Sequence, residues 1–262
     1  MEAPRLTTWP ADLGVLLIGH GTRDQQGLAE FAELVLGVRR ELAPVPVESA
    51  FLELATPPIA VGIEQLVGRG VRRLVVAPVL LFAAGHAKSD IPAAVNAALK
   101  QHPGLDWRQA DHLGCHPQLL DLSEQRFRAG WGDSDPRTNR CRLLVVGRGS
   151  HDAEATREAL AYAELLRKRV GLAEVQVSFL AMAQPRFSDS LAAAAEAECD
   201  MIVVQPHLLF RGELLEEVQQ RVLDWSRRAP AKHWFVTGHL GPASQVISVM
   251  IDRCQQARAR FS

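Results

Sequence analysis

Gly19-His20-Gly21-Thr22-Arg23-Asp24 returns later in the chain as Gly147-Arg148-Gly149-Ser150-His151-Asp152. Phe51-Leu52-Glu53-Leu54-Ala55-Thr56-Pro57 returns as Phe179-Leu180-Ala181-Met182-Ala183-Gln184-Pro185, and Val76-Ala77-Pro78-Val79-Leu80-Leu81-Phe82 as Val204-Gln205-Pro206-His207-Leu208-Leu209-Phe210. These three pairs share one offset of 128 residues, and His112-Leu113-Gly114 with His239-Leu240-Gly241 follows at 127. Matches held in register over such a span mark a duplicated domain. The copies differ where chemistry could reside. His20 stands opposite Arg148 and Glu53 opposite Ala181, and His86 has no histidine opposite it, because the second copy reads Gly212-Glu213-Leu214.

Each half alternates short apolar runs with longer amphipathic segments. Residues 15–19, 47–52, 74–79 and 107–110 read as strands, and 25–42, 58–69, 91–101 and 117–129 as helices. The second half repeats the order, with strands at 143–147, 175–180, 201–206 and 234–237 and helices at 153–170, 186–198, 214–227 and 243–257. The alternation predicts an α/β fold, with two four-stranded parallel sheets, right-handed crossovers and helices on both faces of each sheet. The polar stretch 132–139 is rich in turn formers and reads as the linker. The expected domains are therefore 1–133, carrying the complete residue set, and 134–262, a degenerate repeat. Halves of this size can each bury a core.

Of the 262 residues, 47% are hydrophobic and 23% charged, and the formal net charge is −1. These are values of an ordinary globular protein, and without a basic run no nucleic-acid partner is expected. The apolar runs are too short to span a bilayer, and the start lacks the basic-then-apolar pattern of a signal peptide, so no membrane association is expected. Cys115, Cys141, Cys199 and Cys254 are scattered, which argues against a disulfide framework or an iron–sulfur cluster and for reduced thiols in a cytoplasmic protein.

His20 directly follows the first strand, Glu53 ends the second and His86 lies in the loop after the third. Open parallel sheets bind ligands at these carboxyl ends. If the strand order is 2-1-3-4, His20 and His86 flank the crevice with Glu53 beside them. Two imidazoles and a carboxylate suit a borderline divalent metal such as Co2+, Fe2+, Ni2+ or Zn2+, and leave positions open for a substrate. Plainer readings exist: a histidine in a glycine-rich turn commonly serves the turn, and a glutamate in an apolar run commonly faces solvent by alternation. His112 and His239 hold equivalent repeat positions, which favours a structural role. His116 is placed to cap the following helix, His207 reads as packed, His102 and His233 as surface residues, and His151 as a residue of the cleft.

The stretches 17–23, 51–55 and 78–92 resemble the motifs of the class II tetrapyrrole chelatases, the sirohydrochlorin cobaltochelatase and ferrochelatase family. The resemblance spans nearly the whole chain. It implies two tandem flavodoxin-like domains facing each other across a cleft. The implied activity is insertion of a divalent metal (Co2+ or Fe2+, with Ni2+ a further possibility) into sirohydrochlorin with release of two protons, in cobalamin or siroheme biosynthesis. The family's two histidines and its acidic residue carry over to His20, His86 and Glu53. The metal is then a substrate and no organic cofactor is implied. Arg148, in the slot opposite His20, is the first candidate for pairing with the carboxylates of the macrocycle, followed by Arg23, Lys88 and Arg211. Because the duplication supplies both halves, a monomer is expected. Two rival readings stand beside this one. A histidine after the first strand also resembles the histidine phosphatases, although those place an arginine before it and here it is Gly19. A metal chaperone would bind the ion without acting on a tetrapyrrole.

Overall fold

The computed structural model describes residues 9–82, 85–131 and 140–261; the side chains of His86, Ala87 and Trp131 lie outside that description. The first half runs β1 (Leu13–Gly19), α1 (Gln25–Leu42), β2 (Val47–Phe51), α2 (Ile59–Gly68), β3 (Arg73–Pro78), a π-helical turn (His86–Asp90) leading into α3 (Ile91–Leu99), β4 (Asp106–Gln109) and α4 (Pro117–Trp131). The second runs β5 (Cys141–Gly147), α5 (Ala153–Val170), β6 (Val175–Phe179), α6 (Phe187–Glu196), β7 (Met201–Pro206), α7 (Glu213–Arg228), β8 (His233–Val236) and α8 (Ser244–Arg258). The predicted α/β class holds. The two four-stranded sheets are parallel, with orders β2-β1-β3-β4 and β6-β5-β7-β8, the arrangement on which the placing of His20, Glu53 and His86 depended. The expected linker at 132–139, and with it the junction between 133 and 134, lies outside the described residues. Among the described residues no helix is long and apolar enough to cross a membrane, and all four cysteines are free thiols.

Every residue of β1 is buried, as the central strand of a sheet covered on both faces requires. Leu16 and Ile18 face a core closed by α2 and α3, while Leu13, Val15 and Leu17 face the opposite way. In β5, Leu144 and Val146 likewise face a core of their own half, and Leu143 and Val145 join the first half's inward residues. This last core is common to both halves. The repeat implied two halves that each bury a core of their own; each does so on one face of its sheet and shares the core on the other face. The last helices bring this about. α4 packs on α5 and β7 of the second half, and α8 packs on α1, β3 and β4 of the first. Each half thus contributes its final helix to the other's sheet. At about 1.5–3 kcal/mol per large apolar side chain removed from water, Val246, Val249 and Met250 of α8 make this exchange a main source of stability for the first sheet.

Candidate metal and substrate site

The repeated Gly-x-Gly motif is built for a turn before it is built for chemistry. Gly19 is pressed by the Phe31 ring, which a β-carbon there would meet at 2.9 Å. Gly21 has φ +103, and its β-carbon would stand 1.8 Å from the Glu53 carbonyl oxygen; Gly149 repeats this with φ +93 and 1.9 Å to the Ala181 oxygen. Only glycine accepts both the positive φ and that approach. The hydroxyls of Thr22 and Ser150 accept from the backbone N–H of Asp24 (3.1 Å) and Asp152 (3.0 Å). Asp24 and Asp152 in turn cap α1 and α5, accepting from Gly27 N and Glu154 N. Three of the six positions, Gly21, Thr22 and Asp24, thus keep one structural role in both copies, while the crowding at Gly19 is relaxed at Gly147, where a β-carbon would meet Phe179 at 3.6 Å. The variable ones are His20 opposite Arg148 and Arg23 opposite His151.

The turn after β2 is held against this loop. Leu52 N donates to Gly19 O and Glu53 N to His20 O, each at 3.0 Å, so the second turn continues the β1–β2 pairing past the strand end. Glu53 therefore lies beyond β2, and strand alternation does not govern its direction. Its carboxylate Oε1 stands 3.2 Å from His20 Nε2, with the glutamate side chain 52% exposed and the histidine 24%. The first half thus presents an imidazole and a carboxylate in contact at the carboxyl ends of β1 and β2. His86 opens the π-helical turn after β3, the strand on the other side of β1. Such turns recur at functional sites. The π-helical turn is absent from the sequence reading, which has a loop there. The His86 side chain is outside the described residues, and among the described residues no three histidine, cysteine or carboxylate groups converge. In the second half Arg148 and Ala181 fill the slots of His20 and Glu53 and offer no equivalent pair.

The four candidate substrate cations fall into two groups. Arg23 and Arg148 are exposed at the tips of the two Gly-x-Gly turns. Lys88 and Arg211, in the third loop of each half, reach across to the first helix of the other. Lys88 Nζ lies 2.7 Å from both Asp152 and Glu154, and these hydrogen bonds raise the lysine pKa and lower those of both carboxyls. Arg211 donates to Gln26 at 3.2 Å and pairs with Glu30 at 3.3 Å. The structure shows both engaged with the protein's own polar groups.

The remaining histidines separate by role. His112 and His239 pair with Glu158 and Glu30 across the two halves, at 2.8 and 3.1 Å, the common structural role their repeat positions suggested. His116 Nδ1 accepts from Gln118 N and caps α4. His207 is buried between the rings of Phe82 and Tyr162, centroids 5.2 and 4.3 Å away, and burial lowers its pKa to about 3. His233 is exposed and His102 half-buried. His151 is exposed on a cleft of about 440 Å³ lined also by Ser150, Thr156, Arg157 and Met182.

Two positions that sequence reasoning passed over stand out in the backbone. Leu54 and Met182 are the non-glycine residues with positive φ among those described, at 61° and 60°. A left-handed L-residue costs roughly 1–2 kcal/mol. The available signal was that both repeats keep a long apolar residue here while the position before it changes from Glu53 to Ala181.

The sequence model of the CbiX family matches residues 14–129 and again 142–257. A sirohydrochlorin ferrochelatase of Priestia megaterium is 29% identical over 228 residues, covering 87% of this chain and 84% of that protein. A sirohydrochlorin cobaltochelatase of the same organism is 25% identical over 243 residues, covering 92% and 79%. Among solved structures, SirB from Bacillus subtilis with Fe3+ superposes with a TM-score of 0.86 at 25% identity, covering 95% of this chain and 96% of that one.

Proposed function

The chain belongs to the CbiX family, and from that premise we propose that it is a lyase-type chelatase that inserts a divalent metal, Co2+ or Fe2+, into sirohydrochlorin. The observation that carries this reading is the contact between His20 Nε2 and Glu53 Oε1 at 3.2 Å, set at the carboxyl end of the central strand in a chain that matches two-half chelatases almost end to end.

The chemistry asks for two things. The entering ion needs ligands that bind it and then release it, and the two pyrrole N–H protons need somewhere to go. A neutral imidazole and a carboxylate can each do either job. His20 Nε2 and Glu53 Oε1, 3.2 Å apart, are close enough for one entering ion to bind both. His86, at the start of the π-helical turn on the other side of β1, completes the proposed set of three. When the macrocycle takes the metal, two N–H bonds break, two metal–nitrogen bonds form in their place and two protons leave, the first step of their exit being a base within the same set.

The second half serves as the opposing wall. Arg148 and Arg23, exposed at the turn tips, are the cations we assign first to the carboxylates of the macrocycle. Lys88 and Arg211 join them only by exchanging protein partners for substrate. We further propose that the division into a site-bearing half, 1–133, and a degenerate half, 134–262, is a division of labour rather than of folding, since the final helices are exchanged. The full chain is proposed to act as a monomer in the cytoplasm, without an organic cofactor.

The test is an anaerobic visible-spectrum assay with sirohydrochlorin and Co2+, Fe2+ or Ni2+ in turn. Conversion of the metal-free spectrum by one of these ions, faster than without protein, is the expected result. Binding of the ion with no change in the tetrapyrrole spectrum would replace this reading with a metal chaperone.

A further inference from the structure

Leu54 and Met182 hold the same place in the two halves. Each is the middle residue of a tight turn closed by one backbone hydrogen bond, from Ala55 N to Glu53 O at 2.8 Å and from Ala183 N to Ala181 O at 2.6 Å. At φ 61 and 60 an L side chain crowds its own backbone, and glycine would not. A long apolar side chain is a costly occupant of such a turn, and costlier when it stays in water. Leu54 is 52% exposed. Met182 is half-buried and lines the cleft of about 440 Å³ in the second half. Packing within the protein therefore returns little for Leu54 and only part of a full burial for Met182.

Aiming Glu53 does not account for the feature. The second half has Ala181 in that slot, which offers neither ligand nor base, and Met182 nonetheless keeps both the left-handed backbone and a long apolar side chain. The turn with its apolar tip persists where the metal chemistry is gone. What the two halves still share, on the chelatase reading, is a macrocycle to hold.

We propose that Leu54 and Met182 are substrate-contacting residues, apolar side chains that pack on the macrocycle, one from each half. The proposal rests on the chelatase reading above. A flat tetrapyrrole polycarboxylate has a broad apolar face and a charged rim. Leu54 and Met182 match the face. Arg157, His151, Thr156 and Ser150, on the same cleft as Met182, match the rim. The strained turns project a side chain that contact with substrate then removes from water.

Glycine is the informative substitution, because it relieves the backbone while removing the contact. Leu54→Gly and Met182→Gly are expected to melt at the same temperature as the unchanged chain or higher. Their affinity for metal-free sirohydrochlorin, titrated by absorbance without metal, should be at least about tenfold weaker. Leu54→Met and Met182→Leu should keep it, and Met182→Gly should bind Co2+ as the unchanged chain does. If Leu54→Gly disturbs Glu53 or the fold, the Met182 pair carries the test, having no ligand beside it. Glycine variants that bind the macrocycle as tightly as the unchanged chain overturn the proposal and leave the chelatase reading intact. An unchanged chain that binds the macrocycle but inserts no metal overturns the chelatase reading alone, and one that does not bind it overturns both.

Discussion

His239 Nε2, in the loop after the last strand, stands 3.1 Å from both carboxylate oxygens of Glu30 on the first helix. The two residues are 209 positions apart in sequence, so the contact exists only where the two halves pack on each other. Glu30 also accepts from the backbone N–H of Arg211 at 2.7 Å, so one carboxylate ties two second-half loops to α1. Both members of the pair are mostly buried, with side chains 13% and 17% exposed. Glu30→Gln and His239→Ala should each destabilise the chain by about 1–3 kcal/mol, the cost of leaving a partly buried polar partner unmet. Urea unfolding checks this, and the double variant should lose less than the sum of the two. Strictly additive losses would mean that the two groups do not interact in solution.

At the proposed metal site, His20→Ala and His86→Ala should each lower the insertion rate at least about a hundredfold while the melting temperature stays within a few degrees. Glu53→Gln, which keeps the shape but cannot take a proton, should reduce kcat more than it raises KM. Steady-state kinetics with sirohydrochlorin and Co2+ decide both points. A Glu53→Gln enzyme with unchanged kcat would remove the carboxylate from proton transfer.

His207 makes a prediction about acid stability. Its two ring nitrogens are buried and make no hydrogen bond among the described residues, and burial lowers its pKa from 6.5 to about 3. The folded form therefore binds fewer protons than the unfolded form between those values. Stability is full above pH 6.5 and falls as pH drops toward 3, with this one group contributing a slope of about 1.4 kcal/mol per pH unit. Val79 at the equivalent position shows that the turn accepts an apolar residue. His207→Leu should be at least as stable at pH 7 and lose stability less steeply below pH 6. Parallel curves of stability against pH for the two proteins would contradict this.

A chain cut after residue 133 should not survive as a folded monomer. It would keep α4 with no partner and lose α8, which covers β3 and β4. Because α4 and α8 are equivalent in the repeat, two copies can restore the exchange, α4 of each taking the place of α8. Light scattering should show twice the fragment mass or an aggregate, whereas the full chain should run near 28.7 kDa. A fragment that is monomeric and melts cooperatively near the full chain's temperature would show that the exchanged helix is dispensable.

The sequence by itself determined the duplication, the α/β class and nearly every element, because apolar period and turn residues are local properties and the two copies report on each other. It also singled out His20, Glu53 and His86, since a difference between otherwise matching copies isolates the residues that the fold does not require. The Gly21 and Gly149 turns were legible as glycine, but their cause was not: the carbonyls of Glu53 and Ala181 that exclude a β-carbon come from a different strand connection. The strain at Leu54 and Met182, the π-helical turn at His86–Asp90 and the contact of His20 with Glu53 were likewise fixed only in three dimensions. So was the exchange of α4 and α8. Amphipathic helices carry a buried face in their sequence but no address for it. Here the choice between covering one's own sheet and covering the neighbour's falls to the tertiary structure, where His112, His239 and the shared core meet their partners from the other half.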